Sequence, residues 1–231
     1  MNDIRNLARK SGSDRGSSPT YCEEYTKLFE PIINKKLVIL EIGVHQGGSL
    51  LMWGEYFKNS KIYGLDDFHR GEVKQKYNPH NKIKCSYDYV VEKVSVNKNI
   101  TPIKGSQGSV EDLDKALDII GEEIDIIIDD GAHWPDFIDI SLGKLFPKLK
   151  SGGMYIVEDV STSEERQAKK LSQKPEHVYE ERLIEKLEHI SNVKNIYPSN
   201  SITDSQARYI SKNVLSWKFT GCGNLCTIIK K

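Results

Sequence analysis

Apolar and polar positions follow one another in a regular order along this chain, and that order predicts strands alternating with helices. Short apolar runs, rich in β-branched residues, are typical of buried strands and occur at residues 37–40, 61–67, 100–105, 124–129 and 154–157. The spacing of apolar residues by three or four predicts amphipathic helices at residues 21–30, 110–120, 135–149 and 183–190. This alternation predicts an α/β fold with a mostly parallel sheet and helices on both faces.

Other stretches follow different patterns. Two apolar runs at residues 214–219 and 225–229 flank a glycine-rich turn, which predicts an antiparallel terminal hairpin at the edge of the sheet. Residues 1–20 are polar, and from position 11 onward they have the composition of a loop. Residues 68–98 and 161–212 match no clear pattern, and within the first of these, positions 86–96 fit a helix or a strand equally well.

Composition narrows the class of protein. The chain of 231 residues suits one large domain, and its 33 basic and 33 acidic side chains give no net charge to attract nucleic acid or an anionic membrane. The first five residues lack the apolar core of a signal peptide, and no apolar run reaches the roughly 18 residues that a membrane span requires. We therefore expect a cytoplasmic protein with no nucleic-acid or membrane partner. The four cysteines form no C-x-x-C motif, so a zinc or disulfide framework is not expected.

Acidic residues end four of the predicted strands. They are Glu41, Asp66, the pair Asp129 and Asp130, and the pair Glu158 and Asp159. Open α/β sheets bind ligands beyond the carboxyl ends of their strands, so these acids are candidates for a binding site.

The first two acids flank a loop that suits a nucleoside. Glycines in residues 43–48 allow a tight turn and a close approach of the backbone to a ligand, and the following helix points its amino end the same way. Asp66 is the candidate for the ribose hydroxyls, and Ser106 and Gln107, after the next strand, are candidates for the base or ribose. The alternatives are a tight turn without a ligand, and an Asp66 that begins a turn or caps a helix.

The later acids suit a divalent cation. Hard cations such as Mg²⁺ take carboxylate oxygens and leave positions for water or substrate. His133 lies three residues after Asp130, and a histidine there is a candidate base for a hydroxyl group acidified by the metal. Alternatively, Asp129 and Asp130 cap the following helix while His133 packs beside Trp134. His80 lies in a turn-like sequence and is interpreted as a solvated loop residue.

Six segments together resemble class I S-adenosylmethionine-dependent methyltransferases. The likeness is greatest to the metal-dependent sugar O-methyltransferases of macrolide and related natural-product pathways, and it covers roughly residues 11–160. The segments are Leu40-Glu41-Ile42-Gly43-Val44, Gly47-Gly48-Ser49-Leu50, Tyr63-Gly64-Leu65-Asp66, Asp129-Asp130-Gly131-Ala132-His133, Gly152-Gly153-Met154-Tyr155 and Val157-Glu158-Asp159.

The resemblance implies a Rossmann-like seven-stranded methyltransferase sheet and assigns the candidate residues. S-adenosylmethionine would lie over Gly43 and Asp66, with Glu41, Ser106, Gln107 and Asp129 as further cofactor contacts. Mg²⁺ would bind Asp130 and Asp159, and His133 would be the general base. The loop and helix in residues 1–34 would cover the cofactor, and residues 35–231 would form the methyltransferase domain.

One position departs from the family pattern, and one metal ligand is not assigned. His45 stands where the methyltransferase loop favours glycine, and the third metal ligand is open, because Glu41 is able to serve either the ion or the cofactor.

We expect an O-methyltransferase acting on a hydroxyl of a sugar or another small polar metabolite. The alternatives are a nicotinamide-dependent oxidoreductase, which lacks its G-x-G-x-x-G motif here, and a non-catalytic nucleoside-binding module. The acceptor is not determined, and a homo-oligomer remains open.

Overall fold

The computed structural model describes residues 3–74, 82–160, 201–221 and 224–231. The chain forms two compact units, Met1–Ser106 and Gln107–Lys231, which are taken in turn.

The first unit is built on three parallel strands. The strands of the unit are β1 (Val38–Ile42), β2 (Lys61–Asp66), β3 (Glu72–Lys74), β4 (Lys82–Lys84) and β5 (Ile100–Lys104). Its helices are α1 (Ile4–Ser11), α2 (Pro19–Phe29), α3 (Gly48–Tyr56) and α4 (Tyr87–Val94), with 3₁₀ turns at Asp14–Ser17 and Glu30–Ile32. The parallel strands lie in the order β5, β2, β1, while β3 and β4 form a separate antiparallel pair.

An aromatic cluster packs α2 against α3. Tyr25 and Phe29 of α2 contact Trp53, and Phe29 also meets Phe57 edge to face, with ring centres 5.2 to 5.6 Å apart. All four rings are fully buried. Buried aromatic side chains contribute large apolar areas, so this cluster fixes the helix that the sequence predicts at residues 21–30.

The polar amino-terminal residues contain a helix that the loop composition did not predict. The Asp3 carboxylate caps α1 by accepting the Arg5 N–H at 2.9 Å, and Gly12 ends the helix in the left-handed conformation. Ile4 and Ala8, four residues apart, are its buried face. Two buried side chains in eight residues give too weak a period to stand out in the sequence, and only packing reveals the helix.

The stretch at positions 86–96 is resolved as a helix. The Ser86 hydroxyl caps α4 by accepting the Tyr89 N–H at 3.4 Å, and Val90 and Val94 are buried on one side. Their spacing of four places both valines on the same helical face. His80 lies outside the described residues.

The second unit combines a parallel pair with an antiparallel edge. Its strands are β6 (Ile124–Asp129), β7 (Leu149–Val157), β8 (Val214–Thr220) and β9 (Leu225–Lys230), in the order β6, β7, β9, β8. Its helices are α5 (Val110–Ile120), α6 (Pro135–Leu145) and α7 (Asp204–Asn213), with a 3₁₀ turn at Phe146–Lys148. β6 pairs parallel to β7, whereas β9 pairs antiparallel to both β7 and β8, which confirms the terminal hairpin.

One sequence expectation changes in this unit, one region without a clear pattern is now assigned, and one prediction is not tested. Leu149 begins β7 instead of ending the preceding helix, and the glycines at 152 and 153 lie inside that strand, where Gly152 has φ 74°. The helix α7 begins with a capping box between Thr203 and Gln206, in a region whose pattern was unclear. The helix predicted at residues 183–190 lies outside the described residues.

The predicted fold class is confirmed: seven strands, mostly parallel, form the sheet of an α/β fold with an antiparallel terminal hairpin. In the described part of the chain, no helix has the length and apolar character needed to cross a membrane. Cys22, Cys85 and Cys226 are buried free thiols.

Close backbone packing at Gly48 gives a test of how the amino-terminal segment is attached. A Cβ added at Gly48 would lie 2.8 Å from backbone atoms of Gly12 and Ser13, which have no room to yield. We expect Gly48→Ala to destabilise the protein by about 1–3 kcal/mol and to make residues 3–17 more susceptible to limited proteolysis. Gly54→Ala in the same helix is the control, because its Cβ would meet the end of the Ile100 side chain. Equal protection of the segment in both variants would contradict the prediction.

Candidate functional site

The loop after β1 is held by Asp66 at the end of β2. One Asp66 oxygen accepts the backbone N–H groups of Val44 and His45 at 2.8 and 3.0 Å, and the other accepts that of Phe68 at 2.7 Å. An ionised carboxylate has about four acceptor sites, so Asp66 retains capacity for one more donor, such as a ribose hydroxyl. The structure therefore brings Asp66 and the glycine loop together, as the sequence predicts for the cofactor site.

His45 keeps the backbone path that glycine would provide. Its φ of 51° lies in the left-handed region, as do those of Gly43 at 89° and Gly47 at 77°. Histidine is among the residues that adopt this region more often than most, so the substitution leaves the turn intact. Partial desolvation of the imidazole lowers the pKa of His45.

Glu41 is engaged by the protein itself. Its side chain is fully buried, and one oxygen is 3.0 Å from the Arg15 guanidinium and accepts the Trp53 indole N–H at 3.1 Å. The other oxygen accepts the Ser49 hydroxyl at 2.6 Å. Arg15 also lies over the Trp53 ring, 5.8 Å from its centre. A buried carboxylate needs such partners, and this set places Glu41 in a structural ion pair with the amino-terminal segment.

The amino-terminal segment also contacts the glycine loop directly. The Gln46 side-chain amide donates to the Gly12 carbonyl at 3.2 Å, and the backbone around Gly12 and Ser13 packs against Gly48. With the Arg15–Glu41 ion pair, these contacts tie residues 12–15 to the loop that the sequence assigns to the cofactor. Ser106, a further predicted cofactor contact, is half-buried just after β5.

The carboxylate of Asp129 lies in a closed network in the second unit. It is 1% exposed and accepts hydrogen bonds from Gln107 at 2.6 Å, Ser141 at 2.7 Å and Tyr155 at 2.8 Å, and from the Gly131 backbone. Burial raises the pKa of Asp129 to about 6, and these hydrogen bonds oppose the rise. Gln107 and Asp129, both predicted to contact the cofactor, are thus brought together and hydrogen-bonded to each other.

Asp130, His133 and Asp159 form a cluster at the ends of β6 and β7. One ligand atom from each lies within 4.8 Å of the others. The His133 Nε2 is 3.8 Å from an Asp130 oxygen and 3.7 Å from an Asp159 oxygen, and all three side chains are partly exposed. These separations are longer than a hydrogen bond, and the three ligand atoms lie close enough together for one ion to lie among them.

Left-handed backbone conformations at His133 and Asp159 orient these two side chains of the cluster. His133 has φ 54° and Asp159 has φ 53°, a conformation that side chains other than glycine adopt rarely. Asn224, in the turn of the terminal hairpin, donates its side-chain amide to one Asp159 oxygen at 3.1 Å and accepts the Val160 N–H at 3.2 Å through its carbonyl. The other Asp159 oxygen is the one that faces His133.

The cluster fits a hard divalent cation. Ligands of Mg²⁺ lie about 2.1 Å from the ion, so opposite ligands are about 4.2 Å apart and adjacent ones about 3.0 Å apart. The groups in the cluster lie within 4.8 Å, so small side-chain rotations bring Asp130 and Asp159 to one ion. Two carboxylates supply negative charge and oxygen donors, and they leave coordination positions for water or a substrate oxygen.

Besides Gln46, Ser49 and Trp53 of the glycine loop and α3, four residues of these networks were absent from the sequence assignments: Arg15, Ser141, Tyr155 and Asn224. Arg15 lies in a stretch with loop composition, Ser141 and Tyr155 sit within an apolar helix and strand, and Asn224 follows a turn. None belongs to a motif with fixed spacing. Only Tyr155 lies in a segment that resembles the family, so the sequence carried little signal for the other three.

Comparison with known proteins identifies relatives. A family described as a methyltransferase domain matches residues 40–160. The chain is 30% identical over 69% of its length to 8-demethyl-8-alpha-L-rhamnosyl tetracenomycin-C 2'-O-methyltransferase of Streptomyces olivaceus, covering 38% of that protein. It is 31% identical over 62% of its length to mycinamicin VI 2''-O-methyltransferase of Micromonospora griseorubida, covering 32% of that protein. The chain thus spans about a third of the length of these curated relatives.

A solved structure shares the fold. MycE, a methyltransferase of the mycinamycin biosynthetic pathway crystallised with Mg, SAH and mycinamycin VI, matches with a TM-score of 0.71 at 23% identity. The match covers 99% of this chain and 54% of that one.

Because Asp129 is buried, we expect the free energy of unfolding to depend on pH. Its native pKa of about 6 exceeds the ordinary value of 3.8, so between about pH 4 and pH 6 the native state binds more protons than the unfolded state. The free energy of unfolding should fall as the pH rises through this window, by up to about 3 kcal/mol at roughly 1.4 kcal/mol per unit.

Urea unfolding of the wild type and of Asp129→Asn, measured across this window, tests the effect. The variant has no ionisable group at position 129 and should lack this component of the pH dependence. Asp118→Asn, at an exposed position of α5, should retain it. Identical pH slopes for the wild type and Asp129→Asn would contradict the assignment.

Proposed function

The chain belongs to the family of methyltransferase domains, and from this premise we propose that it transfers a methyl group from S-adenosylmethionine to a hydroxyl group, assisted by Mg²⁺. The acceptor is a sugar or another small polar metabolite. One observation carries the proposal: Asp130, His133 and Asp159 converge within 4.8 Å at the ends of two strands. Two acids beside a histidine supply what metal-assisted removal of a hydroxyl proton requires.

The relatives support the class of acceptor. The tetracenomycin and mycinamicin enzymes are both named as O-methyltransferases, and the first name specifies a rhamnosyl group. Since the chain covers 38% and 32% of those proteins, their substrates enter here as a guide to the chemical class of the acceptor.

Each residue of the cluster has a separate task. Asp130 and Asp159 hold the cation through their oxygens, and the Asn224 amide keeps Asp159 turned so that its second oxygen faces the cluster. Mg²⁺ bound there supplies a positive charge that lowers the pKa of an acceptor hydroxyl. His133 takes the hydroxyl proton at Nε2, the atom that faces both carboxylates. A neutral imidazole is suited to this role because its ordinary pKa lies near neutrality.

Four of the predicted cofactor contacts, Glu41, Gly43, Asp66 and Ser106, belong to the first unit. The backbone at Gly43 turns beneath the nucleoside, the remaining acceptor site of Asp66 takes a ribose hydroxyl, and Ser106 lies after the neighbouring strand. S-adenosylmethionine supplies the electrophilic methyl group. Residues 1–34 cover this side of the cofactor, an assignment supported by the contacts of Gly12, Ser13 and Arg15 with the loop region. The cytoplasmic location remains a prediction.

A screen of acceptors tests the activity. The protein is incubated with S-adenosylmethionine, Mg²⁺ and a panel of rhamnosides, other deoxysugar glycosides and nucleotide-linked sugars, and products are analysed by mass spectrometry. We expect one acceptor class to gain a single CH₂ and S-adenosylhomocysteine to accumulate in equal amount. Binding of S-adenosylhomocysteine without methylation of any acceptor would favour a nucleoside-binding module, and preferential binding of NAD would favour an oxidoreductase.

Substitutions separate the roles of the base and the metal ligand. His133→Ala should lower turnover by about 10²–10⁴-fold and leave the affinity for S-adenosylhomocysteine nearly unchanged, as expected for loss of a general base. Asp130→Asn should weaken binding of Mn²⁺, used as a spectroscopic substitute for Mg²⁺. His69→Ala and Asp118→Asn, at exposed positions, are the controls. Full activity in EDTA would contradict the metal assignment, and loss of cofactor binding in His133→Ala would reassign His133 to structure.

A further inference from the structure

The four residues after β6 have to hold two functional side chains in a strained turn. Asp130 and His133 begin and end this segment, and His133 has a positive φ of 54°. Backbone in this region costs free energy and persists where the surroundings determine it strongly. The proposed site therefore needs a contact that fixes the segment from outside.

Gln107 makes that contact on both sides of the turn. Its Oε1 accepts the Ala132 backbone N–H at 3.0 Å, directly before His133. Its Nε2 donates to Asp129, directly before Asp130, at 2.6 Å, and to Ser141 at 3.1 Å. The side chain is 6% exposed, so these hydrogen bonds meet little competition from water. One amide group thus spans the segment that carries the base and a metal ligand.

The chemistry of the contact favours an amide over other side chains. The end of Gln107 faces an N–H donor on one side and a carboxylate acceptor on the other, so it needs one acceptor and one donor. These partners also fix which end is oxygen and which is nitrogen. A glutamate here would oppose the Asp129 carboxylate, and a methionine of similar length would make neither hydrogen bond.

Asp129, to which Gln107 donates, is itself held by side chains of two further elements. Ser141 of α6 and Tyr155 of β7 donate to the same Asp129 oxygen at 2.7 and 2.8 Å, and Tyr155 is also 3.0 Å from Ser141. All three side chains are buried. Gln107 therefore connects the turn to a rigid part of the unit, and this connection limits its movement.

We propose that Gln107 is a positioning residue for the metal cluster, setting the turn from Asp130 to His133 without contacting the metal or the cofactor. The proposal rests on the proposed function of that cluster. It gives Gln107 a role different from the cofactor contact that the sequence predicts, and the two roles have different consequences. A positioning residue affects metal affinity, because partners that orient metal ligands typically change it by about 10–100-fold.

The experiment compares metal and cofactor binding in Gln107→Met. Mn²⁺ binding is followed by electron paramagnetic resonance, S-adenosylhomocysteine binding by calorimetry, and unfolding by circular dichroism. We expect Mn²⁺ affinity to fall about tenfold or more and the S-adenosylhomocysteine affinity to stay within about twofold. Should Gln107→Met fail to fold, Gln107→Asn replaces it, since an amide one methylene shorter cannot reach both Ala132 and Asp129.

Ser141→Ala is the matched control, because it removes the buried hydrogen bonds of Ser141 with Asp129 and Gln107. It leaves the Gln107 contacts with Ala132 and Asp129, the two ends of the clamp, in place. It should lower the unfolding midpoint and reduce Mn²⁺ affinity by less than about threefold. Wild-type Mn²⁺ affinity in Gln107→Met, an equal loss in Ser141→Ala, or a loss of S-adenosylhomocysteine binding in Gln107→Met would each overturn the positioning role. Absence of Mn²⁺ binding by the wild type would overturn the metal assignment as well, which separates the two failures.

Discussion

Buried charge is the constraint that arranges the second unit. Two consecutive acids stand at the carboxyl end of β6 and two directly follow β7, and the two members of each pair differ in burial. Asp129 and Glu158 are 1% and 2% exposed, whereas Asp130 and Asp159 are partly open. A buried carboxylate is costly unless hydrogen-bonded, so the inner acid Asp129 gathers donors from three surrounding elements. The outer acids, Asp130 and Asp159, are the proposed metal ligands.

The donors that satisfy Asp129 also shape the proposed site. Gln107 hydrogen-bonds both the buried Asp129 carboxylate and the Ala132 backbone. The side chain that compensates for burial of Asp129 therefore also fixes the turn that ends at His133. The second strand uses a different device, in which Asn224 from the terminal hairpin orients Asp159. Both contacts are made by neutral amides, which orient carboxylates and backbone without adding charge next to the proposed cation site.

The first unit follows the same logic with a different partner. Its inner acid, Glu41, is neutralised by Arg15 and hydrogen-bonded by Ser49 and Trp53, so burial of one charge attaches the amino-terminal segment to the sheet. Its outer acid, Asp66, collects backbone N–H groups and fixes the glycine loop. In each unit, a buried acid stabilises the structure and a more exposed acid at a strand end is available to a ligand.

The sequence by itself determined the strands of the main sheet and the terminal hairpin, because hydrophobic period is a local property, and it placed Asp130, His133 and Asp159 at strand ends, where parallel neighbours bring them together. It did not reveal the short pair β3 and β4. It also did not reveal α1, whose buried face is only Ile4 and Ala8, or which acid of each pair is buried. Tertiary structure decided those points, since burial depends on partners distant in sequence: Arg15 for Glu41, 26 positions away, and Gln107 for Asp129, 22 positions away. An aspartate or glutamate looks the same in the sequence whether its carboxylate is buried for stability or exposed to a ligand. Only its neighbours in the folded structure distinguish the two roles.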